Sequence, residues 1–230
     1  MHTTPPDSPV TPRAYHHGNL RAAIVEATVK LVEERGAEHV TVREAARRAG
    51  VSSGAPFRHF PTKTALMTAV AEEGMVRLVE AIDHGLAQSD ANPFARLSAM
   101  AGAYFTWAVQ NPTHYRVLGD RSLIDFDGSA LLSGHAAGIR GSMGQLINRA
   151  LAEGHLRPCD PDLIHLQARA LSYGLARMHV DAHLREWDIP PEQAVAAMRE
   201  VMDDYIVSLA KDPKAARAAL AVRSQIQAKA

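Results

Sequence analysis

The chain of 230 residues is long enough for one large domain or two modest ones, and its 47% hydrophobic and 22% charged residues are ordinary for a soluble globular protein. Basic and acidic residues are equal in number, 25 of each, so the overall charge does not indicate a nucleic-acid partner. The single Cys159 excludes an internal disulfide framework and fits a reducing, cytoplasmic compartment. The uncharged run 97–115 has too few consecutive apolar residues for a membrane helix, so no membrane partner is expected.

Charge is distributed unevenly along the chain. Residues 13–64 contain nine Lys or Arg against five Glu, whereas residues 181–204 contain seven Asp or Glu against two Arg. Binding to a phosphate backbone requires a basic surface. The N-terminal part is therefore where we expect a nucleic acid to bind.

Helix-start signals and apolar periodicity predict an all-α protein. Residues 1–14 are rich in Pro, Thr and Ser and lack an apolar core, which predicts a disordered arm rather than a signal peptide. Pairs such as Asn92-Pro93 and Asp160-Pro161 place a capping residue before a proline at the first helical position. No stretch shows the sustained alternation that is typical of a strand. About ten helices are predicted, over 18–35, 42–49, 53–59, 62–87, 92–110, 112–118, 129–153, 160–185, 190–211 and 213–227.

The segment 41–60 predicts two short helices joined by a tight turn. Thr41 and Glu44 form a capping-box pattern at the start of the first helix. Gly50 can adopt the left-handed backbone that ends this helix, and Pro56 is tolerated only near the first turn of the next one. Two helices joined in this way form a helix-turn-helix, whose second helix enters the DNA major groove.

A fixed pattern of residues runs through this segment and beyond it, at Thr41, Ala46, Ala49-Gly50-Val51-Ser52, Gly54, Phe57, His59-Phe60, Lys63 and Leu66. The pattern resembles that of the tetracycline-repressor (TetR) family of bacterial transcription regulators. Phe57 departs from it, because the family more often has a tyrosine whose hydroxyl bonds a phosphate. The resemblance implies a three-helix helix-turn-helix DNA-binding domain over 15–65, a helical ligand-sensing and dimerisation domain over 66–211, and a C-terminal helix or tail over 212–230.

Double-stranded DNA is the first partner that this resemblance implies. Small residues at the start of the second helix permit a close approach to the bases. Arg58 is the best candidate for reading guanine, and a phosphate contact is an equally open alternative; His59 and Lys63 are expected to position the backbone. The candidate DNA-binding residues are Thr41, Arg43, Ser52, Ser53, Gly54, Ala55, Phe57, Arg58, His59 and Lys63.

The resemblance also implies a homodimer and a small-molecule effector. The helices 160–185 and 190–211 carry apolar stripes that would pair with the same helices of a second copy. An apolar pocket with polar tips is predicted in the C-terminal part, although for each residue a place in the core is the simpler interpretation. The candidate pocket residues are Met100, Tyr104, Trp107, Tyr115, Met143 and Tyr173.

Other patterns carry weaker predictions. His179 and His183 lie four residues apart on a predicted helix, but no third ligand has matching spacing, so neither a metal nor a cofactor is expected. The glycines at 134, 138, 141 and 144 share one helix face and predict a close helix crossing or a pliable wall. No catalytic motif is found, so the protein is not expected to be an enzyme.

These observations favour a sequence-specific transcriptional regulator, a repressor that a small-molecule effector releases from a palindromic operator, with activation left open. One alternative is an all-α small-molecule-binding or catalytic protein that retains a decayed helix-turn-helix. Another is an architectural DNA-binding protein without a ligand.

Overall fold

The computed structural model describes residues 20–52 and 54–227, which fold into nine α-helices and four short 3-10 helices. The α-helices are α1 Leu20–Arg35, α2 Val42–Arg48, α3 Lys63–Ala87, α4 Pro93–Gln110, α5 Pro112–Gly119, α6 Ala130–Ala152, α7 Pro161–Val180, α8 Ala194–Leu209 and α9 Pro213–Gln227. The 3-10 helices are Ala37–His39, Ala55–Arg58, His183–Trp187 and Pro191–Gln193. The predicted all-α class is confirmed, and the predicted arm 1–14 lies outside the described residues.

Four of the predicted helix starts, at 62, 92, 129 and 160, agree with the structure because local side chains cap them. Thr62 accepts a hydrogen bond from the backbone N–H of Ala65, and Ser129 accepts one from that of Leu132. Asn92 and Asp160 cap α4 and α7 in the same way, each followed by a proline at the first helical position. A proline costs little there, because that amide has no partner within the helix.

The two predicted helices 160–185 and 190–211 are both shorter than expected. The first ends at Val180, where Asp181 caps it and Ala182 takes a left-handed conformation with φ of 64°. A left-handed residue cannot continue an α-helix, so the chain makes a 3-10 turn instead. The second begins only at Ala194. Pro191 disfavours a helical conformation for the residue before it, so Pro190 is extended with ψ of 157°, and the chain makes the 3-10 turn Pro191–Gln193 before the α-helix starts.

Helices α1 and α2 and the 3-10 helix Ala55–Arg58 form a small head, α4 to α9 form a body, and α3 runs from one to the other. In the head, α1 packs against α2 and the first turns of α3, and Ile24, Val40 and Phe60 are fully buried between them. In the body, α4 is central and contacts α3, α6, α7, α8 and α9. The head therefore has its own core and is tied to the body through α3.

Helix α5 lies at the junction of head and body, where it contacts both α1 and α3. A Cβ atom added at Gly74 of α3 would lie only 2.8 Å from Cβ of His114 on α5. Glycine is therefore the residue that lets the two helices approach so closely.

The four glycines of α6 do not make the predicted close crossing within one chain. A Cβ atom added at 134, 138, 141 or 144 would meet no heavy atom within 4 Å among the described residues beyond its own helix. This face of α6 is open.

Candidate functional site

The turn of the predicted helix-turn-helix is present. Gly50 has a left-handed φ of 72°, and the N–H of Val51 donates to the carbonyl of Ala46 at 3.0 Å. Thr41 accepts the N–H of Glu44 at 3.2 Å, which is one half of the predicted capping box. In the other half of a capping box, the Glu44 carboxylate would accept the backbone N–H of Thr41. Here the carboxylate instead accepts a hydrogen bond from Arg35 at 3.0 Å.

The second helix is a short 3-10 helix over Ala55–Arg58, so the predicted helix over 53–59 was too long; Ser53 lies outside the described residues. Pro56 has no N–H to donate, which limits regular helical bonding in so short a segment. The N–H groups of His59 and Phe60 both donate to the carbonyl of Pro56, at 2.9 and 2.8 Å. The buried Phe60 thus anchors the segment to the head core.

Most of the predicted DNA-binding side chains are accessible on this part of the head. Lys63 is half-buried, and its Nζ donates to the carbonyl of Glu38 at 2.7 Å, so it braces the head. The Ala55 side chain is not among those described. The exposed residues of the predicted set are Thr41, Arg43, Ser52, Gly54, Phe57, Arg58 and His59.

The basic residues of the head divide into two groups. Arg48 binds Glu34 through two hydrogen bonds of 2.6 Å, and Arg21 binds Glu72 of α3 at 2.9 Å. By contrast, three arginines are exposed and form no ion pair with any residue that the structure describes. They are Arg43, Arg47 and Arg58, and they are called the unpaired cations of the head below. Such cations beside a helix-turn-helix can contact phosphates or base edges.

Four of the six predicted pocket residues form an aromatic cluster in the body, consisting of Tyr104, Trp107, Tyr115 and Tyr173. Neighbouring ring centroids are 6.1 to 6.3 Å apart, and Arg169 lies 5.6 Å from the ring of Tyr104 and 5.3 Å from that of Tyr173. The Tyr115 hydroxyl donates to the carbonyl of Tyr173 at 3.0 Å, and burial raises the pKa of Tyr115.

The other two predicted pocket residues lie in the same part of the body, where Met100 is buried in α4 and Met143 is half-buried in α6. The aromatic cluster is packed as core, and a ligand site there stays a prediction.

A cavity of about 390 Å³ lies beside the aromatic cluster, between α3 and α4, and is called the α3–α4 cavity below. Of the six predicted pocket residues, Trp107 lines it. Its lining residues are Arg77, Ala81, His84, Gly85, Ala99, Gly102, Ala103, Thr106, Trp107, Gln110, Asn111 and Arg199. Sequence reasoning missed Arg77 and Arg199, although glycines inside the two apolar helices, Gly85 and Gly102, were a signal of open space.

The histidines considered as metal ligands do not assemble a site in the described residues. No group of three or more His, Cys, Asp or Glu side chains that could hold a metal ion occurs there. His183 instead lies 3.6 Å from Glu186, and burial lowers the pKa of His179. None of the helices in the described part of the chain is long and apolar enough to cross a membrane.

Two relatives of known name match parts of this chain. The nucleoid occlusion factor SlmA of Idiomarina loihiensis is 29% identical over 135 residues, which are 57% of this chain and 62% of the relative. The HTH-type transcriptional regulator BetI of Serratia proteamaculans is 36% identical over 86 residues, 37% of this chain and 43% of the relative. The chain therefore spans less than two thirds of the length of either relative.

A similar solved structure, of a Rhodococcus sp. RHA1 protein with unknown function, is 26% identical with a TM-score of 0.69, and the match covers 87% of this chain and all of that one. Two family models also match the chain. The model of bacterial regulatory proteins of the TetR family matches residues 24–70, and that of the tetracyclin repressor-like C-terminal domain matches residues 97–202. These matches cover both the helix-turn-helix and most of the body, and the chain belongs to the TetR family of bacterial regulatory proteins.

Proposed function

We propose that this protein is a homodimeric, sequence-specific DNA-binding regulator that represses transcription and is released from a palindromic operator by a small-molecule effector. Membership of the TetR family supports the regulator function. The observation that carries the proposal is the group of unpaired cations, Arg43, Arg47 and Arg58, exposed around the Gly50 turn. A decayed helix-turn-helix would not need to keep them, so that alternative is not favoured.

The place of each arginine in the helix-turn-helix indicates which part of the DNA it would contact. Arg58 ends the second helix of the motif, and its planar guanidinium suits the O6 and N7 acceptors of guanine. Arg43 and Arg47 extend from α2, the first helix of the motif, where contacts to the DNA backbone are expected. Phe57 is exposed, so its ring can pack against the DNA backbone, but it lacks the hydroxyl with which a tyrosine would bond a phosphate.

Dimerisation through α7 and α8 is supported by their exposed apolar side chains. Leu163 and Leu166 of α7 are 51% and 66% exposed, and Val201 of the adjoining α8 is 45% exposed. An apolar patch of this kind marks an interface more often than free surface. Pairing of the patch with itself in a second copy creates a twofold axis, and a twofold protein reads a palindrome.

Release by an effector requires that the ligand bind the DNA-free conformation more tightly than the DNA-bound one. A tenfold loss of operator affinity corresponds to about 1.4 kcal/mol of such preference. Helix α3 is the element that carries the change, because it lies in the cores of both head and body. A shift of α3 would alter the spacing of the two heads in the dimer.

The test is selection of bound duplexes from a random pool by the full chain, with Arg58→Ala in parallel and Arg185→Ala, an exposed arginine far along the chain, as the matched control. We expect a palindrome that relaxes at one symmetric position in Arg58→Ala and is unchanged in the control. A palindrome unchanged in Arg58→Ala reassigns Arg58 to the DNA backbone. Binding without enrichment, weakened uniformly by salt, overturns the proposal of specific regulation.

A further inference from the structure

The α3–α4 cavity has the size and lining of a small-molecule site. Its volume of about 390 Å³ lies within the range of known ligand pockets. Its floor is made of small residues, among them Gly85, Ala99 and Ala103, and polar side chains surround that floor. It shares Trp107 with the aromatic cluster and is otherwise made of different residues.

The charged side chains that line this cavity are both positive. Two arginines, Arg77 of α3 and Arg199 of α8, line it together with the hydrogen-bonding side chains of Thr106, Gln110 and Asn111. No carboxylate is among the lining residues that the structure describes. Guanidinium groups bind carboxylates through charge-assisted and often bidentate hydrogen bonds. The complementary ligand is therefore an anion with oxygen acceptors.

Two glycines shape this cavity. A Cβ atom added at Gly102 would lie 2.9 Å from Nε and 3.0 Å from Cζ of Arg199, so the guanidinium rests directly on α4 at this glycine. A Cβ atom at Gly85 would lie 3.1 Å from the Cβ of Ala103. Glycine inside a helix costs about 0.5–1 kcal/mol relative to alanine. The two glycines allow α4 to approach α3 and Arg199 this closely.

The indole N–H of Trp107 is a hydrogen-bond donor without an acceptor. The side chain is buried, and its indole Nε1 has no hydrogen-bond partner among the described residues. A buried donor without a partner costs about 1–3 kcal/mol. Trp107 is one of the residues that line the α3–α4 cavity, so its fluorescence can report an occupant there.

The lining also connects this cavity to the head. Arg77 donates to Glu73 and, at 3.3 Å, to Asn111, the residue that precedes α5. Glu73 Oε1 lies 3.9 Å from Nε2 of His114 on α5. Two residues after Asn111, Thr113 bonds Glu33 of α1 at 3.2 Å. An anion that draws Arg77 away from Asn111 and Glu73 would therefore loosen α5 where it meets the head.

We propose that the α3–α4 cavity binds a small organic carboxylate through Arg77 and Arg199, and that this capture of Arg77 is the step that lowers DNA affinity. The second half of the proposal rests on the proposed function, whereas binding itself does not. The occupant is a molecule with one carboxylate and a short apolar body, because the floor is apolar and the charged side chains are arginines.

Binding is measured without DNA by the fluorescence of Trp107 in a Trp187→Phe background, which removes the other tryptophan. The probes are hexanoate, hexan-1-ol, hexylammonium and inorganic phosphate. We expect saturable binding of hexanoate, no comparable binding of the alcohol or the amine, and weaker binding of phosphate, which lacks an apolar body. Equal binding of alcohol and carboxylate, or no saturable binding of hexanoate, overturns the proposal.

Substitutions in the lining and matched controls then test whether hexanoate binds in the α3–α4 cavity. Arg199→Gln is expected to weaken hexanoate binding at least about tenfold, since it removes a charge-assisted pair. Arg199→Lys should restore part of the affinity, and Arg140→Gln on the exposed face of α6 should leave it unchanged. Gly102→Ala, which displaces the guanidinium, should also weaken binding, whereas Gly138→Ala, with open space around it, should not. Full affinity in both Arg199→Gln and Gly102→Ala contradicts the assignment.

A last arm measures DNA release. Hexanoate should lower the affinity of the wild-type protein for its selected palindrome and leave that of Arg199→Gln unchanged. If hexanoate binds but DNA affinity does not move, the link through Arg77 is wrong while the cavity stands. If the palindrome itself is not found, the proposed function fails, and the fluorescence result is unaffected.

Discussion

The hydroxyl of Thr113 on α5 donates a hydrogen bond of 3.2 Å to the carboxylate of Glu33 on α1. This bond joins the body to the head without passing through α3. Thr113 is only 3% exposed, so the bond is sheltered from water at the donor. Together with the Arg77–Glu73 and His114–Glu73 contacts, it forms part of a polar junction between the body and the head.

Thr113→Val tests this bond, because valine has nearly the shape of threonine and lacks the hydroxyl. We expect a loss of about 1 kcal/mol in the free energy of unfolding, the usual net contribution of such a hydrogen bond. Urea denaturation measures it, and Thr113→Ser, which keeps the hydroxyl, should retain most of the bond's contribution. Equal stability of the valine variant and the wild type would mean that Glu33 and Thr113 are not coupled in solution.

Two glycine-to-alanine substitutions are expected to have opposite effects. Gly74→Ala would place a Cβ 2.8 Å from Cβ of His114 and force α3 and α5 apart, at a cost of about 1–3 kcal/mol. Gly138→Ala meets nothing within 4 Å and should stabilise the chain by about 0.5–1 kcal/mol. Thermal unfolding of the two variants measures the difference. A stabilised Gly74→Ala variant would show that the two helices can separate at little cost.

His114 is expected to make the stability of the protein depend on pH. Burial lowers the pKa of His114, as does the charge of Arg77, while Glu73 and Glu33 oppose the shift. Because the folded state binds the proton less readily than the unfolded state, this group favours unfolding as the pH falls below its ordinary pKa of about 6.5. The penalty is complete once the pH lies below the lowered pKa of the folded state, and it is absent well above 6.5.

His114→Phe should remove this component, so the variant should lose less stability than the wild type between about pH 7.5 and about pH 5.5. Urea denaturation at the two pH values supplies the comparison, and His183→Gln, at an exposed position, serves as the control. Parallel pH profiles of the wild type and His114→Phe would exclude His114 as the source.

Leu166→Glu should dissociate the proposed dimer. Leu166 is 66% exposed on α7, so a charge there does not disturb the core of one chain but would be buried without a partner at an interface between copies. Sedimentation velocity should report a dimer for the wild type and a monomer for the variant, with lower affinity for the palindrome. Ala218→Glu, the same charge at an exposed position on α9, should remain dimeric. A dimeric Leu166→Glu would move the interface away from α7.

The helices were predictable wherever neighbouring residues decide them. Asn92 and Asp160 cap their helices from within the same few residues, and the start of each was found from sequence. The end of α7 was missed because Ala182 has no preference for the left-handed conformation that it adopts. Its conformation depends on the packing of the following segment, in which Leu184 is buried.

The sequence by itself determined the all-α class and the helix-turn-helix, because caps, turns and helical periodicity are local properties of the chain. The tertiary structure alone decided the α3–α4 cavity and the junction of Thr113 with Glu33. Arg77 and Arg199 belong to helices that are distant in sequence, and they line one cavity because small residues let α3 and α8 pack closely against α4. Contacts of that kind depend on how whole helices pack, which no short pattern of residues specifies.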